Sequence, residues 1–309
     1  MSAADFLTTI AAVSNTEQCN WYAVADSAQH RGLPSAIATG AASRCLLGSS
    51  DGSPLAAKSP HLVSLPTPQS NPAPWQWIER HASQSPCVTV LTSPLGFDAL
   101  FEHLRQFTTI VLPDGDDLFF AFWDPAILGA LVGQVDDRTL HVPGPVLHTP
   151  QLDALLRPID HWWYWSRKAD VHDAVPAGVH AVSSALQLVL PLRLDQQQVD
   201  MLVEASVPDH LLQHVGQNQP ELLERVPESD RYDFVRQQLA RGREHGLSGT
   251  GDLVNYVCIA LEYGEQFDSV ASVATALAKV NAGDQSFDAA MDTFDEGELK
   301  AGAQSPALL

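Results

Sequence analysis

The chain reads as an α/β protein, with an N-terminal mixed-sheet α/β lobe followed by a small all-helical C-terminal lobe. Three observations predict this. From residue 20 to about 135, short apolar or β-branched runs alternate with helix-period patterns. At 117–128 the run Asp-Leu-Phe-Phe-Ala-Phe-Trp-Asp-Pro-Ala-Ile-Leu passes from an aromatic strand into a Pro-led helix that Asp124 can cap. Beyond Asp195 only helical patterns remain. A length of 309 residues, set against roughly 150 per domain, suggests two domains.

In chain order, 5–13 predicts a short helix with Phe6, Ile10 and Val13 on one face, and 20–26 a buried strand. A short strand at 44–47 precedes a Gly/Ser/Pro loop at 48–60, and 61–65 is a third strand closed by Pro66. Pro74 starts a helix over 75–82, and 87–91 is a β-branched strand. The helix 95–107 is the most periodic segment, with Phe97, Leu100, Phe101, Leu104 and Phe107 on one face, so it is expected to lie on a sheet. The apolar run 109–112, the turn Pro113-Asp114-Gly115-Asp116 and the strand from 117 predict a hairpin that ends this sheet.

Between 136 and 194 the aromatic run His161-Trp162-Trp163-Tyr164-Trp165 and the apolar run 185–192 read as strands of the first lobe or of a bridge. Asp195 caps a helix over 196–215, with a break expected at Pro208. Further helices are expected at 230–245, at 252–262 with Thr250 as cap, and at 270–280, closed by Gly246, Gly264 and Gly283. The chain is thus partitioned into an N-terminal helical segment (1–19), an α/β lobe (20–138), bridging strands and loops (139–194), a helical lobe (195–283) and an acidic, flexible tail (284–309).

Lys and Arg total 17 against 37 Asp and Glu, a formal charge of −20. That field repels phosphate backbones and anionic bilayers, so nucleic acid and membrane insertion are not expected, while basic or apolar protein segments are suitable partners. Cys19, Cys45, Cys87 and Cys258 are widely spaced, which argues against a zinc ribbon or a redox pair. The N-terminus lacks a basic n-region and a small-residue cleavage site, and no run approaches the ~20 apolar residues of a membrane span, so a cytoplasmic location is expected.

Four groupings invite a chemical reading. Gly48-Ser49-Ser50-Asp51-Gly52 fits a nucleophile elbow in spacing, but Ser53-Pro54 stands where the elbow's helix must begin. His210 and His214 share a helix face at i, i+4, with neither a glutamate between them nor an evident third ligand. Asp170-Val171-His172-Asp173 sets an imidazole between carboxylates in a loop context. Asp114, Asp116 and Asp117 lack the spacing of a calcium loop and suit a turn. No catalytic residue, cofactor or metal is assigned; a hydrolase using Ser50 or a metal at His210 and His214, and a structural part of a larger assembly, are the alternative readings. In a strand, Trp162 and Tyr164 must face opposite to Trp163 and Trp165. If one face of that strand is core, the other can present an apolar patch; the cleft between the lobes and exposed aromatics, with Trp123, Trp163 and Trp165 named, are the candidate places for partner contact.

The series Trp21-Tyr22-Ala23-Val24-Ala25-Asp26, Ser59-Pro60-His61-Leu62-Val63-Ser64-Leu65-Pro66, Thr92-Ser93-Pro94-Leu95-Gly96-Phe97, His103-Leu104-Arg105-Gln106-Phe107, Val111-Leu112-Pro113-Asp114-Gly115 and Phe120-Ala121-Phe122-Trp123-Asp124-Pro125 resembles the effector-chaperone (adaptor) family of bacterial type VI secretion. In the helical half, Leu194-Asp195-Gln196-Gln197-Gln198, Glu244-His245-Gly246-Leu247 and Glu262-Tyr263-Gly264-Glu265-Gln266-Phe267-Asp268 look similar as well. Ala121 and Ala126 stand where that family usually carries arginines. The resemblance implies a cytosolic, non-enzymatic adaptor. Such a protein binds a secreted toxic effector, often at its N-terminal or apolar segment, and helps load it on a VgrG-type spike.

Overall fold

A computed structural model describes residues 6, 8–10, 12–13, 19–49, 53–175 and 189–304. It divides into two compact units, Met1–Ala205 and Ser206–Leu309. The mixed α/β class expected from the alternating patterns is what unit 1 shows, and unit 2 is helical.

Unit 1 is built on a six-stranded antiparallel sheet. Its strands are β1 (Asn20–Asp26), β2 (Ser43–Cys45), β3 (Pro60–Leu65), β4 (Val88–Ser93), β7 (His161–Trp165) and β8 (Val171–Asp173), in the spatial order β2-β3-β1-β4-β7-β8. Every central strand is buried on both faces, and alternation sorts its side chains into two cores. On one face, Trp21, Val63, Val90, Trp163 and Trp165 pack with Trp75 and Ile78 of α1 (Ala73–Ala82) and with the helical residues Phe6 and Ile10. On the other, Tyr22, Val24, Leu91, Trp162 and Tyr164 pack with α2 (Phe97–Arg105), α3 (Pro125–Val132) and α4 (Thr149–Leu156). The predicted periodicity of α2 is realised, with Leu100, Phe101 and Leu104 buried.

The hairpin forms as predicted, but in a different sheet. β5 (Thr109–Val111) and β6 (Asp117–Phe119) pair antiparallel, and β5 pairs parallel with β9 (Leu192–Arg193), giving a separate three-stranded sheet β6-β5-β9. The strand expected to continue to Trp123 ends at Phe119, because Phe120, Phe122 and Trp123 turn into the core rather than extend the ladder. Asp124 caps α3 as its position before Pro125 requires, Oδ1 accepting from the Ala126 amide at 2.9 Å. Half of the predicted strand 185–192, residues 185–188, lies outside the described residues, and of 189–192 Leu192 enters β9.

α5 (Gln196–Asn218) starts at a reciprocal cap. The Gln198 amide donates to Asp195 Oδ1 at 2.9 Å, and the Asp195 amide donates to Gln198 Oε1 at 3.1 Å. The expected break at Pro208 does not occur: proline removes a single intrahelical donor, and the helix continues through it.

Unit 2 holds the remainder of α5 and α6 (Pro220–Leu223), α7 (Arg231–Glu244), α8 (Thr250–Tyr263), α9 (Ala271–Asn281), α10 (Phe287–Met291) and α11 (Glu296–Gln304). Thr250 is the first residue of α8 rather than its cap, a place taken by Gly249. Leu253, Tyr256, Val257 and Leu261 face inward as predicted. Of the stretch 284–309, expected as a flexible tail, the described residues 284–304 contribute α10 and α11, and Phe287, Ala290 and Leu299 are buried in the same core. Ser286 caps α10 by accepting from the Ala289 amide, and the apolar residues supply enough burial to hold the acidic segment in place.

A buried carboxylate organises unit 2. Asp268 accepts from Arg241 through two nitrogens, from the Tyr256 hydroxyl at 2.6 Å, and lies 3.1 Å from His245 Nε2. Burial first, then the Asp268 hydrogen bond and charge, push the Tyr256 phenol far above its ordinary value, so it acts as a fixed donor. Among the described residues, no helix is long and apolar enough to cross a membrane.

Candidate interaction surface

The turn that makes the β5–β6 hairpin is set by local chemistry. Gly115 has φ of 96°, a left-handed conformation that favours glycine, and the Asp114 carboxylate accepts from the Asp116 amide at 3.1 Å. The turn closes through Gly115 N–H to the Leu112 carbonyl and Leu112 N–H to the Asp116 carbonyl. Its three aspartates are thus turn-formers and strand-edge charges, as their spacing predicts.

β6 is exposed along its whole length. Leu118 and Phe119 keep 49% and 50% of their surface, on an outer strand of the sheet. Phe119 packs edge-on against Trp123, ring centres 5.6 Å apart, and Trp123 is itself buried and donates its indole N–H to Asp26 at 3.2 Å. The hairpin therefore holds two large apolar side chains at the surface, beside Asp114, Asp116 and Asp117. Exposed apolar strand edges are ordinarily avoided, since they invite pairing with another chain.

The partner-binding residues expected from sequence lie elsewhere. Trp123, Trp163 and Trp165 are 3%, 2% and 3% exposed, so the expectation that they meet a partner at the surface gives way to a core role. Trp163 stacks at 5.7 Å on Trp21 and at 4.8 Å on His161, while Trp165 packs against Phe6. β7 alternates as predicted, but helices and aromatic side chains cover both of its faces. Trp165 Nε1 has no hydrogen-bond partner among the described residues.

The other groupings stay apart. Ser50 lies outside the described residues, and among the described residues that follow it the first α-helix begins at Ala73. His210 and His214 share α5 and are both exposed, and no group of three potential metal ligands occurs among the described residues. The Asp170–Asp173 segment, expected as loop, supplies β8 instead. There Asp173 engages His161 Nδ1 at 2.6 Å and accepts from the Trp162 amide, so its carboxylate ties β8 to β7. His172 stacks on Tyr164, and burial holds it below the ordinary imidazole value. Burial pushes the Cys87 thiol up to about 11, which keeps it protonated and inert.

A shallow depression of about 340 Å³ lies along the β2 edge, lined by Arg44, Cys45, Gly48, Ser49, Phe101, Glu102 and Arg105. Arg44 pairs with Asp98 at 2.6 Å and lies over the Phe101 ring at 4.5 Å. With Asp98 and Glu102 beside the two arginines, its charges nearly cancel.

The exposure of Leu118 and Phe119 is not legible in the aromatic run 117–123, which reads as one aromatic strand. Their nearness to the Asp-Gly turn was the available signal, because residues adjoining a hairpin turn protrude beyond the core. Residues 21–142, fewer than half of the chain, match the family described as Domain of unknown function (DUF4123), and this segment includes both the β2 edge and the β5–β6 hairpin. No curated protein and no solved structure matches the chain.

Proposed function

We propose that this protein is a cytoplasmic, non-catalytic adaptor of type VI secretion that binds an effector and helps load it on a VgrG-type spike. The observation that carries the reading is the open β6 edge, where Leu118 and Phe119 stand half exposed beside an acidic turn. A protein whose task is to hold another chain needs such an apolar, hydrogen-bonding surface and no reacting centre. The net charge of −20 fits a partner with basic or apolar segments. The ordered motif series of residues 21–125, similar to the effector adaptors, supplies the particular secretion context.

The test is co-expression with a secreted toxin of the same host, followed by affinity purification, and deletion of this gene in that host. A soluble one-to-one complex and loss of toxin export on deletion are expected. A toxin that remains soluble and is exported at the normal level in the deletion strain would rule the proposal out.

A further inference from the structure

The backbone of β6 is paired on one side only among the described residues. Phe120 N–H bonds to the Thr108 carbonyl and Leu112 N–H to the Asp116 carbonyl, so in this antiparallel pair the even-numbered residues of both strands face each other. Leu118, opposite Ile110, therefore directs its N–H and C=O at β5. Odd-numbered residues point away, and on β5 this is visible directly: the Val111 carbonyl accepts from the Leu194 amide on the β9 side. By the same alternation, the N–H and C=O groups of Asp117 and Phe119 are aimed outward from the sheet. No strand among the described residues pairs with that side of β6.

Side chains alternate in the same way. Asp117 and Phe119 share one face, and Leu118 lies on the other. A strand laid along this edge meets a carboxylate and an aromatic ring on one face and an aliphatic side chain on the other. A lysine or arginine suits the first face, by ion pairing with Asp117 and by cation–π contact with Phe119. A branched aliphatic residue suits the second. Asp114 and Asp116 extend the negative charge past the end of the strand, in a chain already at −20.

Resting on the adaptor reading above, we propose that the partner is bound by strand addition: an extended segment in which basic and aliphatic residues alternate pairs with the outer edge of β6. The outward N–H and C=O groups of Asp117 and Phe119 hold its main chain, and Asp117, Phe119 and Leu118 select its side chains.

The probe is a fluorescent peptide of about seven residues, Lys-Val-Lys-Val-Lys-Val-Lys, with a Glu-for-Lys counterpart and a version N-methylated at alternate residues. The full-length protein should bind the lysine peptide, and bind the other two at least about tenfold more weakly. Hydrogen exchange should slow at the Asp117 and Phe119 amides when it binds. Phe119→Pro deletes one outward donor and leaves the β5 ladder intact, so it should cost at least about tenfold, more than Phe119→Ala, which deletes the ring alone. Asp117→Lys should narrow the preference for the lysine peptide over the glutamate peptide by at least about tenfold. Circular dichroism on each variant checks that it is folded.

Equal binding by wild type and Phe119→Pro, no slowing at the two amides, or no binding of the lysine peptide would overturn the inference. So would a concentration-dependent dimer of the protein abolished by Phe119→Pro, which would assign the edge to a second copy. If the toxin co-purifies equally with wild type, Phe119→Pro and Asp117→Lys, the strand-addition inference fails while the adaptor reading stands. If wild type captures no toxin, the adaptor reading fails, and the peptide result still decides what the edge binds.

Discussion

Trp163 shows how residue type and residue role separate. An indole in a strand can be an interface anchor or core filling, and here Trp21, His161 and Phe6 close around it until 2% of its surface remains exposed. Removing so large a buried side chain leaves a cavity, and Trp163→Ala should cost about 3–5 kcal/mol. All seven tryptophans lie within Met1–Ala205, so urea unfolding followed by tryptophan fluorescence reports on unit 1 alone. The midpoint should fall markedly for this variant; a loss below about 1 kcal/mol would mean that the site collapses around the gap or that the indole carries little packing energy. The sequence alone left both roles open for Trp163, because strand alternation says which residues share a face but not what covers that face.

At the scale of elements, legibility follows the range of the interaction. The Asp124–Pro125 start of α3, the Asp195–Gln198 cap of α5 and the apolar stripe of α2 depend on residues within a turn or two, and all were readable. Sheet membership depends on partners far along the chain. The hairpin joins β9, some 80 residues later, through pairings such as Ile110 with Leu192 that no local pattern announces. The exposure of Leu118 and Phe119 was concealed for the same reason, since it follows from β6 being an outer strand. One element contact also predicts a pH response. His103 on α2 donates from Nε2 to the Leu155 carbonyl of α4 at 2.9 Å, and burial, opposed by that hydrogen bond, lowers its pKa below the ordinary imidazole value. The unfolded chain then binds the proton more readily, so the stabilisation is complete above about pH 6.5 and is lost as pH falls toward the depressed folded value. His103→Gln removes the titration while offering a donor. The slope of the urea midpoint between about pH 7.5 and 5.5 should therefore be shallower in the variant than in wild type, and parallel slopes would exclude His103 as a source.

For the whole molecule, the excess of carboxylates makes two opposite salt effects inseparable from the proposed function. Thirty-seven acidic side chains against 17 basic ones repel one another more strongly in the folded chain than in the expanded one, and added salt screens that repulsion. Stability should accordingly rise as sodium chloride goes from about 50 to about 500 mM, where the Debye length shrinks from well above to well below ~10 Å. Attraction of a basic segment to Asp114, Asp116 and Asp117 is screened over the same range, so affinity for the lysine peptide should fall by several-fold. The outward backbone groups and Leu118 are uncharged, and their share of the affinity should survive. Titrating both quantities on the same samples separates these contributions: a peptide lost only because the protein unfolds would lose affinity and stability together, whereas edge binding guided by charge requires the two to move in opposite directions. Asp117→Lys should flatten the salt dependence of binding while leaving that of stability nearly unchanged, because one charge in so large an excess matters at the edge and little to the whole.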